Sequence, residues 1–256
     1  MPLCCGMTSV ESPSSKTDRQ ITVRIWRGDA RGGDYETFLI PDKPNQTILD
    51  AVTEIQRNQE PGLTYRFACR VGMCGSCAMT VNGKPRWTCR TLVETVSGSS
   101  GVLTLAPLRN LPVIKDLVAD MTVFFEKWGR AKGRFDDGGA PDADFVPVDP
   151  TSADRREVDA AIECINCGVC YAACDVVSWD EDYLGPAALN RAWSLIRDEK
   201  DKGRIERVRA VSEKGGCLSC HTHQRCAQLC PNQLNPTRSI AGLKRAVMSA
   251  TLKGEL

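Results

Sequence analysis

Cys69, Cys74 and Cys77 fall within the run CRVGMCGSC, and Cys89 follows after eleven residues. Thiolates at C-x4-C-x2-C with a fourth downstream make the plant-type pattern for a 2Fe-2S cluster, whose two irons take four cysteines. One loop delivers three of them only by coiling tightly. Gly72 and Gly75 permit the coil, because glycine tolerates positive φ and close approach and so lets amide N–H groups point at sulfur. The alternative for four thiolates is a structural zinc site, but such sites usually pair two separated C-x2-C knuckles.

A second constellation lies further on. CINCGVCYAAC places Cys164, Cys167, Cys170 and Cys174 at C-x2-C-x2-C-x3-C, the bacterial ferredoxin run in which the fourth cysteine serves the other of two clusters. A second copy is therefore required. In CLSCHTHQRCAQLCP it would need cysteines at 220, 223, 226 and 230 before a proline, and the sequence supplies Cys220, His223, Cys226, Cys230 and Pro231. Exchange of the fourth ligands assigns Cys164, Cys167, Cys170 and Cys230 to a 4Fe-4S cluster, and Cys220, Cys226 and Cys174 to its neighbour. Three thiolates leave one corner without protein sulfur, so the expected neighbour is 3Fe-4S. Two rivals stay open: His223 can bind a fourth iron through imidazole, or Cys217 can swing in to do so. A spare cysteine three residues from a ligand is more often a small buried apolar side chain.

The elements that must carry these loops divide the chain. ITVRIW, ETFLI, CAMTV with PRWTC across Asn82-Gly83, and VLTLAP alternate as strands. TILDAVTEIQRNQ reads as a helix capped at Thr47, with Ile48, Val52 and Ile55 on one face. IKDLVADMTVFFEKWGR reads as a helix leading out of the sheet, and GRFDDGGAPDADFVPVDP as a Gly-, Pro- and Asp-rich connection. Beyond it REVDAAIECINCGVCYAAC, GPAALNRAWSLIRDEKD, GRIERVRAVSEK and NPTRSIAGLKRAVMSATLK all read as helices, the last with Asn235 as cap and Pro236 in its first turn. The expectation is an α+β chain: a disordered tail at 1–18, which holds Cys4 and Cys5, a β-grasp 2Fe-2S domain at 19–108, a connecting helix and linker at 109–150, and an all-α domain with the two cubane-type clusters at 151–256.

Composition narrows the function classes. With 33 basic against 32 acidic residues the chain has no global field to draw it to nucleic acid. No apolar run approaches the roughly 20 residues of a bilayer span, and the opening lacks a signal-peptide core, which predicts a soluble chain on the cytoplasmic side. Fourteen cysteines in such a compartment point to metal rather than disulfides. There is no G-x-G-x-x-G for a flavin nucleotide, and the only histidines, His221 and His223, sit in a cluster loop.

The order of a plant-type 2Fe-2S domain followed by C-x2-C-x2-C-x3-C and C-x5-C-x3-C-P resembles the iron-sulfur subunit of succinate dehydrogenases and fumarate reductases, from about Ile21 to the C-terminus. YRFACRVGMCGSCAMTVNGKP, LVADMTVFFE, CINCGVCYAACD and YLGPAAL look particularly like the fumarate reductase branch. The resemblance implies an electron wire on the cytoplasmic face of the inner membrane. An FAD-containing flavoprotein partner interconverts succinate and fumarate, and electrons pass through 2Fe-2S, 4Fe-4S and 3Fe-4S clusters to a quinone at membrane anchor subunits. It further implies that Trp179, His221 and Lys244 help to form the quinone site, with an indole donor, an imidazole for protons and an ammonium for semiquinone charge. Asp175, beside Cys174, can add a proton-accepting carboxylate. Two positions depart from the family pattern: Asp175 stands where many relatives have proline, and His223 where they often have an apolar residue. Two other readings compete with this one. One is an electron-transfer subunit serving another flavoprotein and a thiol or soluble carrier; the other is a zinc-stabilised interaction module.

Overall fold

The computed structural model describes residues 19–139 and 147–256; the tail at 1–18, with Cys4 and Cys5, lies outside the described residues. Strand β1 (Gln20–Asp29) turns into β2 (Gly32–Pro41), and the two pair antiparallel along their whole length. Helix α1 (Ile48–Asn58) starts at Thr47, whose hydroxyl accepts from the Asp50 N–H while the Asp50 carboxylate accepts from the Thr47 N–H. This reciprocal cap satisfies two backbone donors that a helix start leaves free. Strands β3 (Ala78–Val81) and β4 (Lys84–Trp87) form the hairpin expected at Asn82-Gly83, both of which adopt positive φ. After the short helix α2 (Val93–Ser97), β5 (Val102–Ala106) pairs parallel to β1 and antiparallel to β3.

Alternation along β1 buries Ile21, Val23 and Ile25. They meet Leu103 and Leu105 from β5 and Ile48, Val52 and Ile55 from α1 in one core. Each such side chain taken fully out of water contributes about 1.5–3 kcal/mol. That core contains no cysteine.

The segment after the sheet differs from its expected helix. Residues Val113–Lys115 and Val118–Ala119 form β6 and β7, which extend the same sheet, and only Thr122–Arg130 is helical (α3). The cause is Asp116. It is buried, adopts positive φ, and its carboxylate accepts from Arg27 Nε and from the backbone N–H groups of Gly28 and Thr64. Those distant partners outweigh local helix preference.

The second body is helical. α4 (Ala153–Ile162) is capped by Ser152, and a loop leads from it to α5 (Val169–Ala172) and α6 (Asp175–Trp179). The single helical reading through CINCGVCYAAC is thus corrected, because Asn166 and Gly168 both have positive φ and break the helix there. α7 (Pro186–Arg197) runs through the middle of the core and is buried along most of its length. α8 (Arg204–Ser212), α9 (Arg225–Gln228) and α10 (Pro236–Leu252) follow. As expected, Asn235 caps α10 by accepting from the Arg238 N–H, with Pro236 in the first turn. Gly242 lets α10 lie flat on the Trp193 ring of α7, where a Cβ would come within 2.6 Å of the indole.

Candidate metal centres

In the sheet body the loop from Cys69 to Cys77 wraps as its glycines require, with Gly72 and Gly75 both at positive φ. Its backbone points at sulfur: the N–H groups of Met73 and Cys74 donate to Cys69 Sγ at 3.2 and 3.3 Å, and the Cys69 N–H donates to Cys74 Sγ at 3.5 Å. Cys77 closes the coil at the start of β3, and Cys89 reaches it from the turn after β4. Both are buried. The Thr88 hydroxyl donates to the Cys77 carbonyl and ties the two segments together. The sulfurs differ in charge preference. Amide donation from Cys69 and contacts from Ser76 pull the Cys74 thiol down to about 6, whereas burial and the neighbouring Cys77 push Cys89 up to about 11.

In the helical body the two cysteine runs interleave. One cavity is lined by Cys164, Cys167, Cys170 and Cys230, together with Trp87 of the sheet. A second is lined by Cys174, Cys220 and Cys226, with Asp175, Tyr183, His221, His223 and Thr237 around them. Cys230 therefore sits with the cysteines of the other run, and so does Cys174. Burial pushes the thiols of Cys164, Cys170, Cys174 and Cys226 up, and that of Cys167 up to about 11. Thiols so placed stay neutral until a cation replaces the proton. Among the described residues no three His, Cys, Asp or Glu side chains converge closely enough to hold one metal ion. The sulfurs of the two runs line two open cavities, spaces that clusters of several irons would fill. The buried indole N–H of Trp87 lies beside Cys167, where it favours the thiolate against the larger opposing effect of burial.

The remaining candidates gather around the second cavity. The Trp179 ring stands edge-on to His221 and His223, with centroids 6.1 and 5.6 Å away, and is 65% exposed. His223 Nδ1 faces the Asp175 carboxylate at 3.5 Å. Lys244 donates to the Cys220 carbonyl at 2.8 Å, so its ammonium is tied to the back of the loop. Cys217 is fully buried in the helical core and does not line the cavity, and burial pushes its thiol up to about 11.

Residues 22–126 match the family model described as a 2Fe-2S iron-sulfur cluster binding domain, and residues 163–235 match a 4Fe-4S dicluster domain. The mitochondrial succinate dehydrogenase [ubiquinone] iron-sulfur subunit 1 of Oryza sativa is 37% identical, over 85% of this chain and 76% of its own. The fumarate reductase iron-sulfur subunit of Haemophilus influenzae is 34% identical, over 80% of this chain and 82% of its own. The chain belongs to the succinate dehydrogenase and fumarate reductase iron-sulfur subunits. A solved chain of the Mycobacterium smegmatis Sdh1 complex in the apo form superposes with a TM-score of 0.81 at 28% identity, covering 90% of this chain and 96% of that one. As a member of this family the protein is an electron-transfer component of an oxidoreductase complex. Identity to the two branches is nearly equal, so it does not assign the chain to one of them. No helix among the described residues is long and apolar enough to cross a membrane.

Several residues at the cavities carry no spacing signal in the sequence. Asn110 Nδ2 donates to the carbonyls of Tyr171 and Cys174, and so holds the backbone that joins the two cavities. Lys127 of α3 donates to the Tyr171 hydroxyl from a buried position. Trp87 faces Cys167 from the sheet, Tyr183 lies beside Cys220 from the loop before α7, and Thr237 faces Cys226 from the first turn of α10.

Proposed function

We propose that this iron-sulfur subunit relays electrons between the flavin of a partner subunit and a membrane quinone. Its ligand sets are Cys69, Cys74, Cys77 and Cys89 for 2Fe-2S, Cys164, Cys167, Cys170 and Cys230 for 4Fe-4S, and Cys174, Cys220 and Cys226 for 3Fe-4S. When bound, the clusters supply one-electron carriers, and everything else falls to the chain, which spaces them and tunes their surroundings. The observation that carries the reading is the exchange of Cys174 and Cys230 between two cavities. It gives the first cavity four thiols and the second three.

The three-iron reading is supported by where the rivals sit. Cys217 belongs to the core, and His223 turns its Nδ1 to Asp175 from a loop whose flanking residues, Thr222 and Gln224, both have positive φ. The quinone end is supported by the exposed Trp179 beside His221, and by a basic and apolar surface that continues from Lys244 through Met248 and Leu252. That surface suits a membrane anchor. Val71 and Met73, exposed around the 2Fe-2S loop, suit the flavoprotein at the opposite end of the wire.

The test is an EPR-monitored redox titration of the intact complex with iron analysis. About nine irons per chain and three centres, one with an oxidised-state 3Fe-4S signal, are expected. A tenth iron with a nitrogen-coupled signal that disappears in His223→Ala overturns the three-iron assignment.

A further inference from the structure

We propose that Thr237 is a positioning residue for the cluster at Cys174, Cys220 and Cys226: its hydroxyl donates a hydrogen bond to the Cys226 sulfur and raises that cluster's reduction potential. The inference rests on the ligand sets proposed above. It does not depend on whether the cluster holds three irons or four.

Thr237 Oγ1 lies 3.4 Å from Cys226 Sγ. In a free thiol either atom can donate. A cysteine that ligates iron has lost its proton, so in the loaded protein only the hydroxyl can be the donor. The hydroxyl is also held in place. Pro236 and the Asn235 cap fix the first turn of α10, and a β-branched side chain has few χ1 choices in a helix.

The sign follows from charge. Reduction adds an electron that spreads onto the sulfurs, and a donor stabilises the more negative state, so the potential rises. The neighbouring cavity lacks this device. Among the described residues no hydroxyl hydrogen-bonds to Cys164, Cys167, Cys170 or Cys230; Cys164 Sγ instead faces the Asn166 amide oxygen at 3.8 Å. In the Thr237 cavity, by contrast, the Thr222 N–H donates to Cys220 Sγ at 3.4 Å and the buried Tyr183 hydroxyl is turned to the same sulfur. The neighbouring sulfurs take N–H donors only, from the Asn166 and Val169 backbone and the Trp87 indole, so the Thr237 hydroxyl bond is an addition particular to the site beside Trp179 and His221.

The experiment is a redox titration of the intact complex carrying Thr237→Val, Thr237→Ser or no substitution, with exchangeable-proton couplings read at the same centre after transfer to D2O. Thr237→Val should shift the reduction equilibrium of this one centre about tenfold towards the oxidised form, or 59 mV downward for one electron. It should leave the other two centres in place and remove one exchangeable-proton coupling. Thr237→Ser should restore both the potential and the coupling. An unshifted potential in Thr237→Val overturns the proposal, as does an equal shift of all three centres or an equal shift in Thr237→Ser. If the valine variant fails to assemble, the wild-type protein still decides: absence of a hydroxyl-proton coupling at this centre overturns the proposal. A wild-type protein with no centre at these cysteines overturns the ligand assignment itself, a result visible before any variant is made.

Discussion

The sheet body and the helical body present cysteines in opposite ways. In the sheet, three of four candidate ligands come from nine consecutive residues, and the fourth from a turn that the Thr88 hydroxyl ties to the same strand. The main apolar core beneath, from Ile21 to Leu105, is built without them, and only Cys77 and Cys89 pack in a smaller cluster with Leu49 and Trp87. In the helical body each cavity borrows one cysteine from the other run, and Cys170, Cys174 and Cys220 pack directly on the core. A local loop can lose its metal and leave its scaffold standing. A reciprocal exchange makes the two sites and the fold around them interdependent.

Iron removal gives the largest expected effect. Chelation under reducing conditions should collapse the helical body, since α5 and α9 have four residues each, too few to stand as helices alone, and each carries a cysteine that lines one of the two cavities. Hydrogen exchange should show protection lost from α5 to α10 and kept in β1, β5 and α1. Equal loss in both bodies would remove the contrast.

Single cysteine substitutions sharpen the same contrast. Cys77→Ser should abolish the 2Fe-2S signal and spare the others. Cys230→Ala should cost the 4Fe-4S centre, about four irons per chain, although Cys230 lies in the run of the other site. Selective loss of the three-iron signal in Cys230→Ala would reverse the exchange.

How much of this was legible in the sequence follows the same division between local and reciprocal. The coil at Cys69–Cys77, the cap at Thr47 and the Asn82-Gly83 hairpin are short-range patterns, and each could be read from spacing alone. The strands at 113–119 could not. Asp116 gains its partners from Arg27, Gly28 and Thr64, and no window around it contains them. Trp87, Tyr183 and Thr237 were likewise invisible, because an indole or a hydroxyl beside a sulfur follows from packing between elements and leaves no repeat. The helix expected through CINCGVCYAAC failed for a further reason: Asn166 and Gly168 adopt positive φ to wrap the loop, and hydrophobic periodicity does not register backbone handedness.

His223→Cys addresses the comparison between the two helical-body sites. It restores the full cysteine spacing, so the second site should take four irons and fall in potential, slowing quinone-linked turnover while flavin-linked dye reduction survives. The flanking positive-φ residues Thr222 and Gln224 set the direction in which a side chain at 223 leaves the loop. Unchanged cluster type would therefore mean that backbone geometry, and not the missing thiol, keeps the fourth iron out.

The smallest effect separates two cysteines within the sheet loop, and it is read in iron-free protein, where the sheet body is expected to persist. Amide donation from Cys69 holds the Cys74 thiol near 6, and burial holds Cys89 near 11. A thiolate attacks an alkylating agent and a thiol does not. Alkylation of Cys74 should therefore reach half its plateau rate at about pH 6, while Cys89 stays unreactive until the solution is strongly alkaline. Stability carries opposite signs at the two positions. The depressed Cys74 favours the folded loop above the ordinary thiol value, an advantage lost as pH falls through about 6; the raised Cys89 favours it below the ordinary value, an advantage lost as pH rises towards about 11. The iron-free loop should accordingly resist unfolding over a broad middle range of pH, and peptide mapping of the alkylated protein should find label on Cys74 first. Label appearing on both cysteines at one pH would mean that the loop opens when iron leaves, and the sheet site would then depend on its metal as the helical sites do.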